Sequence, residues 1–165
     1  MKILFVVAIF VFGQLSAQKV TTTIDKFTKE LRISAEWAPL DMSLMQSAQI
    51  GFRAVDSLYF ITIACSGAYA DVIGEGNEFI FLLENSDTII TKSPTIQSYD
   101  IGYGGDKIAR HSYLINKIQL KKLGDGALVS SIRKHSTTGY FDRDVKKKNA
   151  LKVRALARDF LKAIE

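Results

Sequence analysis

Outside the N-terminus, the longest apolar run is Leu-Tyr-Phe-Ile-Thr-Ile-Ala-Cys at positions 58–65. Read with period two, Tyr59, Ile61, Ile63 and Cys65 share one face and Leu58, Phe60, Thr62 and Ala64 the other. Both faces are mostly apolar and rich in aromatic or β-branched residues, which predicts a central strand buried on both sides. Asp56-Ser57 before the run and Ser66-Gly67 after it supply turn chemistry at both ends.

The same alternation places strands at 20–25 and 30–36, where Leu31, Ile33 and Ala35 oppose Arg32, Ser34 and Glu36. Three hairpins are predicted to follow. The first joins 50–55 to 58–66 through Asp56-Ser57. The second joins 79–84 to 88–92 through Asn85-Ser86-Asp87, and the third joins 97–102 to 107–115 around Gly104-Gly105-Asp106. Positions 116–123 read as a short helix with Ile115, Ile118 and Leu123 turned inward, stopped by Gly124-Asp125-Gly126. A strand at 127–135 and a turn at Thr138-Gly139 lead to Tyr140-Phe141.

From about Val145 the period changes. Val153, Leu156, Ala157, Phe160, Leu161 and Ile164 recur three and four apart, the stripe of an amphipathic helix, with Asp142 or Asp144 available as its cap. A lone helix of this kind is marginal in water, so the stripe has to rest on the sheet. The expected fold is α+β: an antiparallel β-meander of several hairpins with one amphipathic C-terminal helix packed on it.

The segment 37–45 fits neither period. Pro39 interrupts regularity, while Trp37, Met42, Leu44 and Met45 crowd apolar groups into an expected connection, where Asp41 could cap a short helix. The sequence holds one tryptophan and three methionines. Trp37, Met42 and Met45 are therefore the candidate surface for a ligand or partner, because aromatic and Met-rich surfaces are enriched at interfaces. The competing reading has this segment plug an open end of the sheet.

The N-terminus has the layout of a secretory signal peptide: Lys2, an unbroken apolar run over 3–12, then Leu15-Ser16-Ala17 before a cut after Ala17. The apolar run is too short for a membrane span of about 20 residues. The expected organisation is a signal peptide at 1–17 and a single α+β domain at 18–165, exported to the periplasm or secreted. The single cysteine, Cys65, leaves no partner for an internal disulfide, so stability has to come from the core.

Little in the sequence signals catalysis. Cys65 with His111 or His135 forms a conceivable nucleophile pair, but Cys65 falls within the most apolar strand, where a thiol acts as a small hydrophobe. No Gly-x-Ser-x-Gly elbow occurs. The histidines lack neighbouring ligands, so no zinc site is predicted. Asp71, Glu75, Asn77 and Glu78 gather oxygens around Gly74 and Gly76, without the spacing of a calcium loop. The Gly-rich stretch at 102–107 lacks the Gly-Lys-Ser/Thr end of a phosphate-binding loop. No catalytic residue, metal or cofactor is assigned.

The net charge of +5 is a mild excess. Many of the cations fall late in the chain, among them Arg133, Lys134, Arg143, Lys146, Lys147, Lys148, Lys152, Arg154 and Arg158. A basic helix could touch an anionic membrane, but a solvated outer face explains the charge as well. No nucleic-acid reader motif appears.

Leu120-x-x-Leu123, Ser131-Ile132-Arg133, Thr138-Gly139-Tyr140-Phe141-Asp142 and the basic helix after them resemble small exported bacterial domains of unknown function, in which a β-meander precedes one packed C-terminal helix. The resemblance covers the last third of the chain and implies fold and compartment only. The expected function is that of an exported non-enzymatic domain binding a protein, peptide or glycan at the cell envelope. The alternative is a small envelope enzyme or metal-dependent hydrolase using the Asp71 to Glu78 loop.

Export predicts that expression in the native host yields a soluble form beginning near Gln18. Mass spectrometry of the N-terminus checks this, and an intact Met1 in the membrane fraction contradicts it.

Overall fold

Residues 20–42 and 46–165 are described by a computed structural model. Their period-two segments form strands β1 (Val20–Ile24), β2 (Leu31–Met42), β3 (Ser47–Val55), β4 (Leu58–Ser66), β5 (Glu78–Leu83), β6 (Thr88–Lys92), β7 (Asp100–Ile101), β8 (Lys107–Ile115), β9 (Val129–His135) and β10 (Tyr140–Asp144). Helix α1 (Lys117–Asp125) lies between β8 and β9, and α2 (Lys147–Ile164) closes the described chain. The expected signal peptide and Met45 lie outside the described residues.

All ten strands join one antiparallel sheet in the order β1-β2-β3-β4-β8-β6-β5-β9-β10, with β7 hung on β8. The two halves meet through a single registered residue pair, Lys92 with Leu114. The sheet curls far enough that Arg143 on β10 comes within 3.9 Å of Asp41 on β2.

Helix α2 fills the hollow of this curl. Val153, Leu156, Ala157, Phe160 and Leu161 are buried, and the ring of Phe160 stacks on Phe52 of β3 at 5.6 Å between centroids. Asn149 pins the start of α2 by donating to the Leu40 carbonyl. Arg154 donates to the Gly126 carbonyl, and Arg158 pairs with Asp125 at the end of α1. The core lies between α2 and the concave face and includes Ile33, Phe52, Ile61, Ile63, Phe79, Phe81 and Tyr113.

Four local expectations are corrected. Strand β4 is buried on one face only: Ile61, Ile63 and Cys65 point into the core, whereas Phe60, Thr62 and Ala64 are half-buried, because both helices lie on the concave side. Segment 37–42 continues β2, through register shifts between Ala35 and Ala38 and between Pro39 and Asp41. Pro39 is tolerated because β1 pairs only with Leu31 to Ala35, which leaves that stretch of β2 as a free edge. In α1, Leu120 rather than Ile118 turns inward; Ile118 is 72% exposed. Neither Asp142 nor Asp144 caps α2, since both belong to β10 and Lys146 takes the cap position without a side-chain bond.

Basic residues also divide differently from the sequence reading. Lys134 is only 2% exposed and donates to the Tyr69 carbonyl at 2.5 Å. Arg133 forms a two-pronged pair with Asp142 on the convex face.

Removing the ring that joins helix to sheet should be costly. Phe160→Ala is expected to lower stability by about 3–5 kcal/mol, the range for deleting a buried aromatic. Lys152→Ala, on the exposed side of α2, should stay within about 0.5 kcal/mol. Urea denaturation of both variants provides the comparison, and equal losses would contradict this packing.

Candidate functional site

The register shift between Ala35 and Ala38 on β2 has a consequence for the convex face. An extra residue inserted at such a shift re-aims the side chains around it. Ala38 and Leu40 enter the core, and Trp37 is turned outward, 38% exposed. Its indole lies against Gly51 of β3. A β-carbon at Gly51 would stand 3.1 Å from Trp37 Cε3 and Cζ3, so only glycine lets the ring approach the strand this closely.

Beside the indole, strand registers set small side chains in transverse rows. Gln49, Ala64 and Arg110 lie side by side across β3, β4 and β8, as do Ser47, Ser66 and Ile108. Ala64 and Ser66 are the low points of a trough of about 630 Å³. Trp37 walls one side, and Ser98, Asp100 and Ile108 stand on the other. The Arg110 guanidinium reaches back across Ala64 to within 5.8 Å of the indole. Ser47 and Ser66 are bonded to each other at 2.9 Å. Gln97 fixes the far wall by bonding both the Ser112 carbonyl and its N–H at 2.7 Å.

This arrangement offers one flat aromatic surface, one guanidinium, one carboxylate and several hydroxyl or amide groups. Among the described residues it brings together no paired acid and base and no activated nucleophile. Of the candidate surface residues, Trp37 forms the wall. Met42 is exposed beside the trough, where the Gln49 amide lies 3.7 Å from its sulfur. Arg110, Asp100 and Gln49 were not singled out by the sequence, because their relation to Trp37 depends on pairing between distant strands.

A second hollow of about 710 Å³ lies over the convex face of β5, β6, β9 and β10. Ile80, Leu82 and Ile90 line it, and the Arg133–Asp142 pair crosses its edge. It has no aromatic platform, and its main charged groups are already paired.

The conceivable nucleophile pair does come together. Cys65 Sγ is 3.8 Å from His111 Nδ1, and both are buried on the core side of the sheet beside Lys134. Burial raises the Cys65 thiol to about 11, with Lys134 opposing weakly. Burial, reinforced by the Lys134 charge, lowers His111 to about 4. A buried thiol held in its protonated form is a poor nucleophile. The cluster is a structural feature of the core.

The Asp71 to Glu78 loop is also occupied with its own structure. Asp71 accepts from Thr138 and from the Val72 N–H, and Asn77 accepts from the Gly74 N–H. Glu78 faces Lys92 and His135, each at 3.9 Å. Among the described residues no group of three or more metal-ligating side chains converges, and no helix is long and apolar enough to cross a membrane.

His111 gives a pH signature. Its folded value lies below the unfolded value of about 6.5, so the unfolded chain takes up the proton first as pH falls. Stability from His111 is fully present above pH 6.5 and is lost as pH drops toward 4. The loss should be about 2–3 kcal/mol, and His111→Gln should flatten it in denaturant midpoints taken across that window. An identical pH profile in the variant contradicts the buried, neutral imidazole.

In comparisons with protein-family models, with curated proteins and with solved structures, the chain matches none.

Proposed function

We propose that this chain is an exported, non-enzymatic binding domain that holds a glycan at the cell envelope, in the trough beside Trp37. The observation that carries this reading is the indole held against Gly51 at the wall of an open, polar trough. An aromatic face accepts the apolar face of a sugar ring, while hydroxyl, amide and charged groups around it satisfy ring hydroxyls. Ser47, Gln49, Ser66, Ser98, Asp100 and Arg110 supply those groups.

A glycan fits better than an extended peptide. Peptides commonly dock by adding a strand to a free sheet edge. Here the trough runs over the side-chain face of the sheet, and β3 and β4 at its floor are paired along both sides, so no main-chain edge is open there. Export rests on the layout of residues 1–17 and joins the reading on that ground alone.

Trp37→Ala should lower affinity for envelope oligosaccharides by about tenfold or more, the scale of losing one well-packed aromatic contact. The variant should still unfold cooperatively from a folded state, at a somewhat lower thermal midpoint, because Trp37 stands outside the core but its ring is largely covered. Calorimetric titration with soluble oligosaccharides tests the first point, and thermal unfolding of the variant tests the second. Unaltered affinity in Trp37→Ala, or no binding by the parent chain to any glycan class, contradicts the proposal.

A further inference from the structure

At the end of the sheet remote from the trough, one rim gathers apolar side chains that the fold leaves uncovered. Phe27, at the tip of the β1–β2 turn, is 95% exposed. Ile24 and Leu31, a registered pair below that tip, are 66% and 43% exposed. The next turn lies alongside, since the Asp56 N–H donates to the Leu31 carbonyl at 3.2 Å. It leads directly into Leu58, which is 56% exposed. Tyr59 then pairs with Ile115, bringing the first turn of α1 and its exposed Ile118 to the same rim.

The projection of Phe27 is built into the turn. The Asp25 carboxylate accepts from the Phe27 and Thr28 N–H groups at 2.9 and 3.0 Å. The Asp25 carbonyl accepts from Lys29, whose φ of 62° is the left-handed conformation that reverses the chain. Arg32 pairs with both Asp25 and Glu30 at 3.1 Å. Arg32 offsets one of these two acids, so with Lys26 and Lys29 the turn sets three cations against two carboxylates, and among the described residues Lys26 and Lys29 form no ion pair. Arg53 and Lys117 add positive charge nearby, against the exposed Asp56.

We propose that this rim docks the protein on an anionic lipid bilayer, with Phe27 entering the interface and Lys26 and Lys29 resting on lipid phosphates. Aromatic and aliphatic tips flanked by cations suit that boundary, where each lysine adds attraction to anionic headgroups. A second copy of the chain is a poorer occupant. A two-fold contact through the same rim would set Lys26 and Lys29 against themselves.

The helix α2 does not compete for this role, because its apolar stripe is consumed by the core. The trough opens near Ser47, Ser66 and Ile108, whereas the rim lies at Val55, Leu58 and Ile115. The length of β3 separates them by about 26 Å, so a chain seated on its rim keeps the trough clear of the lipid. The inference stands independently of what the trough binds.

Flotation with vesicles of equal parts phosphatidylcholine and phosphatidylglycerol, and with phosphatidylcholine alone, tests it. The chain should float only with the anionic vesicles, and less as salt rises. Phe27→Ser should cut partitioning by about tenfold or more, while its thermal midpoint stays unchanged because the ring is solvent-exposed. Lys26→Glu with Lys29→Glu should abolish binding, and Lys148→Ala with Lys152→Ala on α2 should leave it intact. Binding that survives Phe27→Ser, as it would if residues 3–12 carried it, overturns the proposal. So does a stable dimer that Phe27→Ser converts to a monomer without vesicle binding.

Discussion

The ring of Phe160 stacked on Phe52 is the contact on which the architecture depends. A meander of short strands has no reason to curl unless something fills its concave side, and an isolated amphipathic helix has no reason to persist in water. Each solves the other's problem. The stripe of α2 lies in the hollow, Asn149 ties its first turn to β2, and Arg154 and Arg158 tie its later turns to α1. With no internal disulfide available to Cys65, this burial has to supply most of the stability.

Placing both helices on one side leaves the other side of the sheet open. The convex face then becomes a surface whose relief is set by residue size along the strands. Gly51, Ala64 and Ser66 make it low where Trp37 and Ile108 make it high, and a trough results. The same asymmetry explains why β4 is apolar on both faces yet wet on one. Phe60, Thr62 and Ala64 pack against side chains of neighbouring strands, without a second layer above them.

The legible parts of the sequence were those governed by local chemistry. Turn residues between apolar runs located the β3–β4 and β5–β6 hairpins, and the three-four stripe located α2. What depended on distant partners was not legible. The continuation of β2 through Trp37 and Pro39 breaks period two at its register shifts, so it reads as a connection. The neighbours β4 and β8 are separated by three intervening strands, and nothing local announces that pairing. Lys134 reads as a surface cation, and its burial depends on the Tyr69 carbonyl, brought across the fold to accept from it. In the candidate site the tryptophan stood out by composition alone, whereas Arg110, Asp100 and Gln49 emerged with the strand order.

The sequence contains a single tryptophan, so its indole N–H gives one isolated NMR signal that reports directly on the trough. Titrating the folded chain with an envelope oligosaccharide should move that signal together with the backbone amides of Ser47, Gln49, Ser66 and Arg110. Shifts confined to the hollow around Ile80, Ile90 and Arg133, with the indole unmoved, would contradict the account.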